Sequence, residues 1–421
     1  MTMRVAFVNQ PIDVILPPYQ TSVGACTYGT VGCLAKFCEV VVYGQQHRHG
    51  GAPTYLVDRG VRFHFFPPNM RDRVLYKTGR ELMKLGMTTT PASSAAWSFP
   101  AYGRQVAADL QKQRCDIIHV QHSSQYVSVI RSFNPKVKIV LQLHAEWFSQ
   151  NDYPTLARRL RNVDLIATVS NYITQKTRRD FPMIANRVVT AYNGIDAEEF
   201  SRDRDYRVGS QREEKRILYA GAVSPHKGIH ILLDAFSMVV QRYPRVRLDV
   251  VGPHGGYPLS ENFDLADKAT ISSLAPWYGS DYLSHLKSLL TADVAPKVAF
   301  LGMIPRAELV DRYFDADIFA FPPIWDEGFG IPPVEAMAAG APVVASRSGA
   351  VVETVKDGET GLLVAKNDAP ALARALLEML ENDVAREAMG RAARQRAFSC
   401  FTWERVTGDL LKEYEGLSRA N

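Results

Sequence analysis

The chain holds 421 residues, 46% hydrophobic and 22% charged, which is too long for one ordinary core and too apolar for disorder. A formal net charge of +5 suits an anionic ligand or a membrane surface and falls far short of the dense basic patch of a nucleic-acid binder. Five cysteines (Cys26, Cys33, Cys38, Cys115, Cys400), without a C-x-x-C pair, indicate reduced thiols in a cytosolic protein and exclude a disulfide framework or zinc site.

The N-terminus MTMRVAFVNQPID opens at once on a strand-like run with no signal layout. Nowhere do eighteen apolar residues run together, so the expected location is the cytoplasm. In chain order RVAFV (4–8), EVVVY (39–43), VRFHFF (61–66), DIIHV (116–120), KIVLQL (138–143), DLIATV (164–169) and RVVTA (187–191) read as strands of the first half. RILYAG (216–221), VRLDVVG (246–252), KVAFLG (297–302), DIFAFP (317–322) and APVVAS (341–346) read as those of the second. Most are continuous apolar runs, as in strands buried on both faces of a parallel sheet, and helical patterns lie between them. The fold class is therefore α/β, with two Rossmann-like doubly wound domains.

Between the halves, residues 197–216 are polar and charged without apolar periodicity. Domain one is taken as 1–200, the linker as 201–214 and domain two as 215–398. Residues 253–280, rich in Gly, Pro and Ser, read as a loop or insertion over a site. Residues 401–417 form an amphipathic helix with Trp403, Val406, Leu410, Leu411 and Tyr414 on one stripe. Residues 69–87 form another, with Arg71, Arg73, Lys77, Arg80 and Lys84 among apolar residues. The plain reading is a solvated helix on the sheet; the sharper one is an interfacial helix that meets a lipid-linked acceptor.

The motif WDEGFGIPPVEAMAAGAPVV (325–344) runs from a strand through a Gly turn into a helix with Pro in its first turn and Gly340 at its stop. Gly328 and Gly330 let a ligand approach the backbone, and the helix start offers free N–H groups to an anion. Glu327 can accept hydrogen bonds from sugar hydroxyls and Glu335 from a ribose diol. Against this, an acid in a helix's first turn gains about 0.3–1 kcal/mol from the dipole alone.

That stretch, with Glu327 and Glu335 separated by seven residues, resembles the signature of family 4 retaining glycosyltransferases of the GT-B fold, two such domains facing a cleft. NGIDAEEF (193–200), YAGAVSPHKGIHILLDAF (219–236), KVAFLGMIPRAELVDRYFDADIFAFPP (297–323), GAVVETVKDGETGLLV (349–364) and FTWERV (401–406) fall in the family's order. The resemblance implies that helix 399–421 returns to the first domain. It implies a nucleoside-diphosphate sugar as donor, UDP favoured over GDP, and a carbohydrate or lipid-linked acceptor. Neither cofactor nor metal is implied, and a peripheral contact with the inner membrane is a further expectation.

Carried over by residue, Glu327, Lys227 and His144 become the catalytic set. Glu327 with the amides of Gly328, Phe329, Gly330 and Ile331 holds the donor sugar, Lys227 the diphosphate, Glu335 the ribose, Gly24 the N-terminal diphosphate loop, and Met303 with Ile304 the base. The family's arginine two residues after the glycine of the phosphate turn is missing near Ala222, and His226 and Arg306 are its expected substitutes. Gly29 and Gly32 are read as helix-packing glycines. Of the strand-end histidines His119 and His122, one is read as structural and one as lining the acceptor cleft. The triplets Asp203-Arg204-Asp205 and Asp315-Ala316-Asp317 have ordinary structural explanations. The expected activity is retaining hexosyl transfer, with a regulatory sugar-nucleotide binder as the alternative.

Overall fold

The computed structural model describes residues 2–18, 20–44, 54–85, 87, 90, 94–145, 153–205, 212–254, 268–278 and 281–419. The chain divides into two compact units, Met1–Gly194 with Trp403–Asn421, and Ile195–Thr402. This division lies six residues before the sequence-based boundary. Ile195 already pairs with Thr402, Phe200 is fully buried, and Arg204 donates to the carbonyls of Tyr313, Ala316 and Ala339. Residues 201–205 thus belong to the second unit, and 206–211 of the expected linker lie outside the described residues.

In the first unit the strands are β1 Arg4–Val8, β2 Glu39–Gly44, β3 Tyr55–Asp58, β4 Val61–Phe65, β5 Ile117–Gln121, β6 Lys138–Leu143, β7 Leu165–Thr168 and β8 Val188–Thr190. Their order is β3-β4-β2-β1-β5-β6-β7-β8, parallel throughout except for the antiparallel edge pair β3–β4. Val5 to Val8 and Val40 to Tyr43 are almost wholly buried, as continuous apolar runs between two helical layers must be. The sheet changes direction at β1, which has β2 on one side and β5 on the other.

The second unit holds β9 Lys215–Ala220, β10 Val246–Val251, β11 Val298–Gly302, β12 Ile318–Phe321, β13 Val343–Ser346 and β14 Gly361–Val364, in the order β11-β10-β9-β12-β13-β14. All its pairings are parallel, and the direction changes at β9. Such a point opens a crevice beyond the carboxyl ends of the strands.

The last helix, Trp403–Arg419, packs on the first unit and buries Val406, Leu410 and Tyr414. Tyr414 shares a hydrogen bond with His119 Nδ1, and His119 stacks on Phe7 with ring centroids 4.6 Å apart. Burial pushes His119 down to about 3, so it is neutral; His122 is buried too, and burial lowers its pKa well below the usual imidazole value, so burial does not separate the two. A Cβ on Gly29 would lie 2.2 Å from the Trp403 ring, which makes Gly29 a packing glycine; Gly32 has only Arg59, at 3.8 Å, and its packing role is not needed. Residues 268–278 of the expected loop form a helix, while 255–267 and 279–280 lie outside the described residues. Among the described residues no helix is long and apolar enough to cross a membrane.

Candidate functional site

β9 and β12 are neighbours, with Ile217 opposite Ile318 and Leu218 opposite Phe319, so the loops that leave their carboxyl ends run side by side. Gly228, φ +71°, ends the turn Pro225–Lys227, and a Cβ there would lie 2.0 Å from the Pro322 carbonyl oxygen. Glycine permits that approach. The Ile324 N–H then donates to the His226 carbonyl at 2.9 Å.

Lys227 and Glu327, 100 residues apart in sequence, are thereby brought together with Nζ 2.5 Å from Oε1. Their side chains are 17% and 8% exposed. The Trp325 indole N–H donates to the same Oε1 at 2.6 Å, and the Lys227 ammonium lies 4.6 Å from the Trp325 ring centroid. The Glu327 backbone is also held: its N–H donates to Ser348 Oγ at 3.2 Å, and its carbonyl accepts from Ala350 at 2.9 Å. Gly349, φ +45°, sits so close that a Cβ would lie 2.3 Å from the Glu327 carbonyl oxygen. Oε1 therefore takes two donors, while among the described residues Oε2 has no hydrogen-bond partner. It is the oxygen left for a ligand.

Helix Ile331–Ala338 starts from Gly330 in the left-handed region, φ +84°. Pro332 and Pro333 lack N–H groups, so only Ile331 and Val334 among its first four residues can donate. Glu335 is the fifth residue, with no acid in the first turn, so the dipole explanation offered by the sequence fails. Instead Glu335 is buried, accepts the Tyr313 O–H on Oε2 at 2.9 Å and pairs on Oε1 with Arg306 at 2.7 Å. Arg306 also meets Glu199 at 2.6 Å. Burial alone would lower its pKa, but the two carboxylates hold it above the usual guanidinium range.

Two expectations change here. His226 is buried, its ring centroid 3.9 Å from that of Trp325, and burial with the Lys227 charge beside it pushes its pKa well below the usual imidazole value. It is neutral and does not replace the missing arginine. Arg306 is committed to Glu335 and Glu199, so its charge is already balanced by those two carboxylates. Gly328 is half-exposed, and the Phe329 ring is buried against Phe401 at 5.8 Å. Met303 is exposed and Ile304 half-buried just past β11.

In the first unit His144 follows β6 and meets Gln121 Oε1 at 2.6 Å; burial pushes it down to about 4, so it too is neutral. Gly24 donates to Thr21 at the start of helix Ser22–Leu34, and a Cβ there would lie 2.0 Å from the Val14 carbonyl. The chain itself therefore demands that glycine. Asp315 pairs with Arg212 and Arg216 at 2.9 and 3.0 Å, and Asp317 accepts the Arg216 N–H at 2.8 Å, which are structural roles. Among the described residues no three His, Cys, Asp or Glu side chains gather as a metal-binding group.

Trp325, Ser348, Gly349 and Tyr313 are functional neighbours that sequence reading missed. Trp325 lies inside the quoted motif, but nothing in a linear pattern says where its N–H points.

The family profile described as "Glycosyl transferases group 1" matches residues 202–396, and that described as "Glycosyltransferase Family 4" matches 54–199. Spore coat protein SA of Bacillus subtilis is 27% identical over 330 residues, covering 75% of this chain and 82% of its own. Phosphatidyl-myo-inositol mannosyltransferase of Mycobacterium tuberculosis is 35% identical over 231 residues, 53% of this chain and 52% of its own. Among solved structures, sucrose-phosphate synthase of Thermosynechococcus elongatus superposes with TM-score 0.70 at 20% identity, covering 100% of both chains. HepE of Anabaena in complex with UDP and glucose gives 0.66 at 20% identity, covering 98% of this chain and 99% of that one. At these identities the structural likeness carries the fold, which is GT-B.

Proposed function

Since the chain belongs to the group 1 glycosyltransferases of family 4, we propose that it moves a hexose, glucose favoured, from a nucleoside-diphosphate sugar to a hydroxyl acceptor with retention of configuration. The observation that carries this reading is the Lys227–Glu327 pair beyond β9 and β12, with one carboxylate oxygen left open. In the reaction, charge builds on the departing diphosphate, and preorganised donors in a dry site stabilise it. Lys227 and the amides of Gly328, Gly330 and Ile331 are the donors in this reading. The leaving phosphate oxygen takes the acceptor's proton on the face where the new bond forms, so no separate base is needed. Glu327 holds the sugar and is not a nucleophile.

UDP is favoured over GDP because the structurally similar HepE of Anabaena was solved in complex with UDP and with UDP-glucose. The direct test is incubation with UDP-glucose and no acceptor. Slow release of UDP and free glucose is expected of a transferase. Tight binding with no release would favour the regulatory binder.

The acceptor in this reading is a carbohydrate or a lipid-linked sugar at the cytoplasmic membrane face. Helix Met70–Lys84 supports the lipid-linked form: Met70 is 73%, Val74 56% and Leu85 just beyond it 73% exposed, with Arg71, Arg73 and Lys77 exposed beside them. Apolar side chains among cations match an anionic bilayer surface. Co-sedimentation with phosphatidylglycerol vesicles should therefore exceed that with phosphatidylcholine, and Val74→Asp with Leu85→Asp should cut it about ten-fold or more. Equal binding by the double variant removes this helix from the account.

A further inference from the structure

Glu327 is useful to a sugar only if its free oxygen stays in one place, and Lys227 cannot guarantee that. A diphosphate arriving beside it competes for the same ammonium, and a lysine stem turns easily. The Trp325 N–H has no such competing task, and its ring has only two torsions to fix. Those torsions are fixed from behind. The His226 ring lies 3.9 Å from the indole, shares a hydrogen bond with the Tyr278 hydroxyl through Nδ1, and has Nε2 3.3 Å from Ser224 Oγ. Tyr278 ends the helix Lys268–Tyr278, within the stretch that composition reads as a loop. Its ring lies nearly parallel to that of His226, with centroids 6.1 Å apart and 8° between the planes.

We infer that Trp325 is a positioning residue that fixes Glu327 Oε1 so that Oε2 meets the donor sugar, and that His226 and Tyr278 hold its indole for that task. The inference rests on the donor-site reading above. It makes the helix 268–278 part of sugar recognition without requiring any contact between that helix and the sugar. A neutral His226 suits this role, because a second cation against the indole would repel the Lys227 ammonium 4.6 Å from the ring centroid.

The test compares each sugar nucleotide with its parent nucleotide by calorimetry, using UDP-glucose with UDP and GDP-mannose with GDP. Trp325→Phe keeps a ring against His226 and loses the N–H. It should weaken the sugar nucleotide about ten-fold while leaving the parent nucleotide unchanged, the size of one hydrogen bond to a charged group. Tyr278→Phe should act in the same direction by about two- to three-fold. In a Glu327→Gln background the Trp325→Phe loss should shrink markedly, since the residue acts through that carboxylate.

Equal loss for the sugar nucleotide and its parent would show a merely structural role and overturn the inference. So would an undiminished loss in the Glu327→Gln background, or no loss at all. Wild-type protein that binds neither sugar nucleotide overturns the donor reading itself, an outcome distinct from the other three.

Discussion

Lys227→Ala is expected to lower the rate of hexosyl transfer about 10²–10³-fold, the cost of removing one preorganised donor from a developing oxyanion. Glu327→Ala should be comparably severe through loss of the sugar's anchor. Neither should unfold the protein. Breaking a fully buried ion pair costs about 3–5 kcal/mol, but here Glu327 keeps the Trp325 N–H and Lys227 is 17% exposed on a flexible stem. A loss of about 1–3 kcal/mol is therefore expected, visible as a modest fall in Tm. Initial rates at saturating donor, with a thermal melt on the same samples, check both parts; full activity in either variant sinks the site assignment.

Gly349→Ala is the second large effect, and it reaches the site without changing a polar group. The new Cβ would meet the backbone oxygen of Glu327 at 2.3 Å and its nitrogen at 2.7 Å, and no rotamer change can move those atoms away. The residue also sits at φ +45°, where a side chain adds about 1–2 kcal/mol of strain. Total destabilisation should exceed about 2 kcal/mol, and the loop 325–328 must shift to relieve it. Activity should fall with stability at temperatures where the variant remains folded. A denaturant titration and a rate measurement at low temperature separate the two, and a variant with wild-type Tm would refute the packing argument.

The strands that sequence made legible are those whose chemistry is monotonous. β1, β2, β5 and β6 are buried on both faces, so each appears as an unbroken apolar run. β3 escaped because Tyr55–Asp58 is an antiparallel edge with exposed residues alternating along it, and β14 because Gly361–Val364 is an edge strand that alternates buried and half-buried residues. Helix Lys268–Tyr278 contains Pro276 and two serines, a composition that reads as loop until its tyrosine is seen against His226.

The site divided in the same way. Glu327 and Lys227 were singled out because the motifs that hold them resemble those of the family, and the structure brings the two side chains together. The partners of Glu327 and Glu335 were not: Ser348 and Tyr313 reach them over 21 and 22 residues, and Trp325 reaches Glu327 by a side-chain orientation that no periodicity encodes. His226 was offered as a substitute for the missing arginine, a role that needs a cation, whereas burial makes its neutral form the stable one.

The last helix has a consequence for biosynthesis. Val5, Phe7 and their neighbours share a core with Leu410 and Tyr414, so the first unit lacks part of its interior until the final residues exist. A ribosome adds about 5–20 residues per second, which leaves that interior unfinished for on the order of 10–40 s after residue 194 is made. During that interval the sheet face and helix bed meant for Trp403–Arg419 are exposed to solvent, and chaperone demand should concentrate there. Nascent chains stalled before residue 403 would report it as protease sensitivity confined to the first unit.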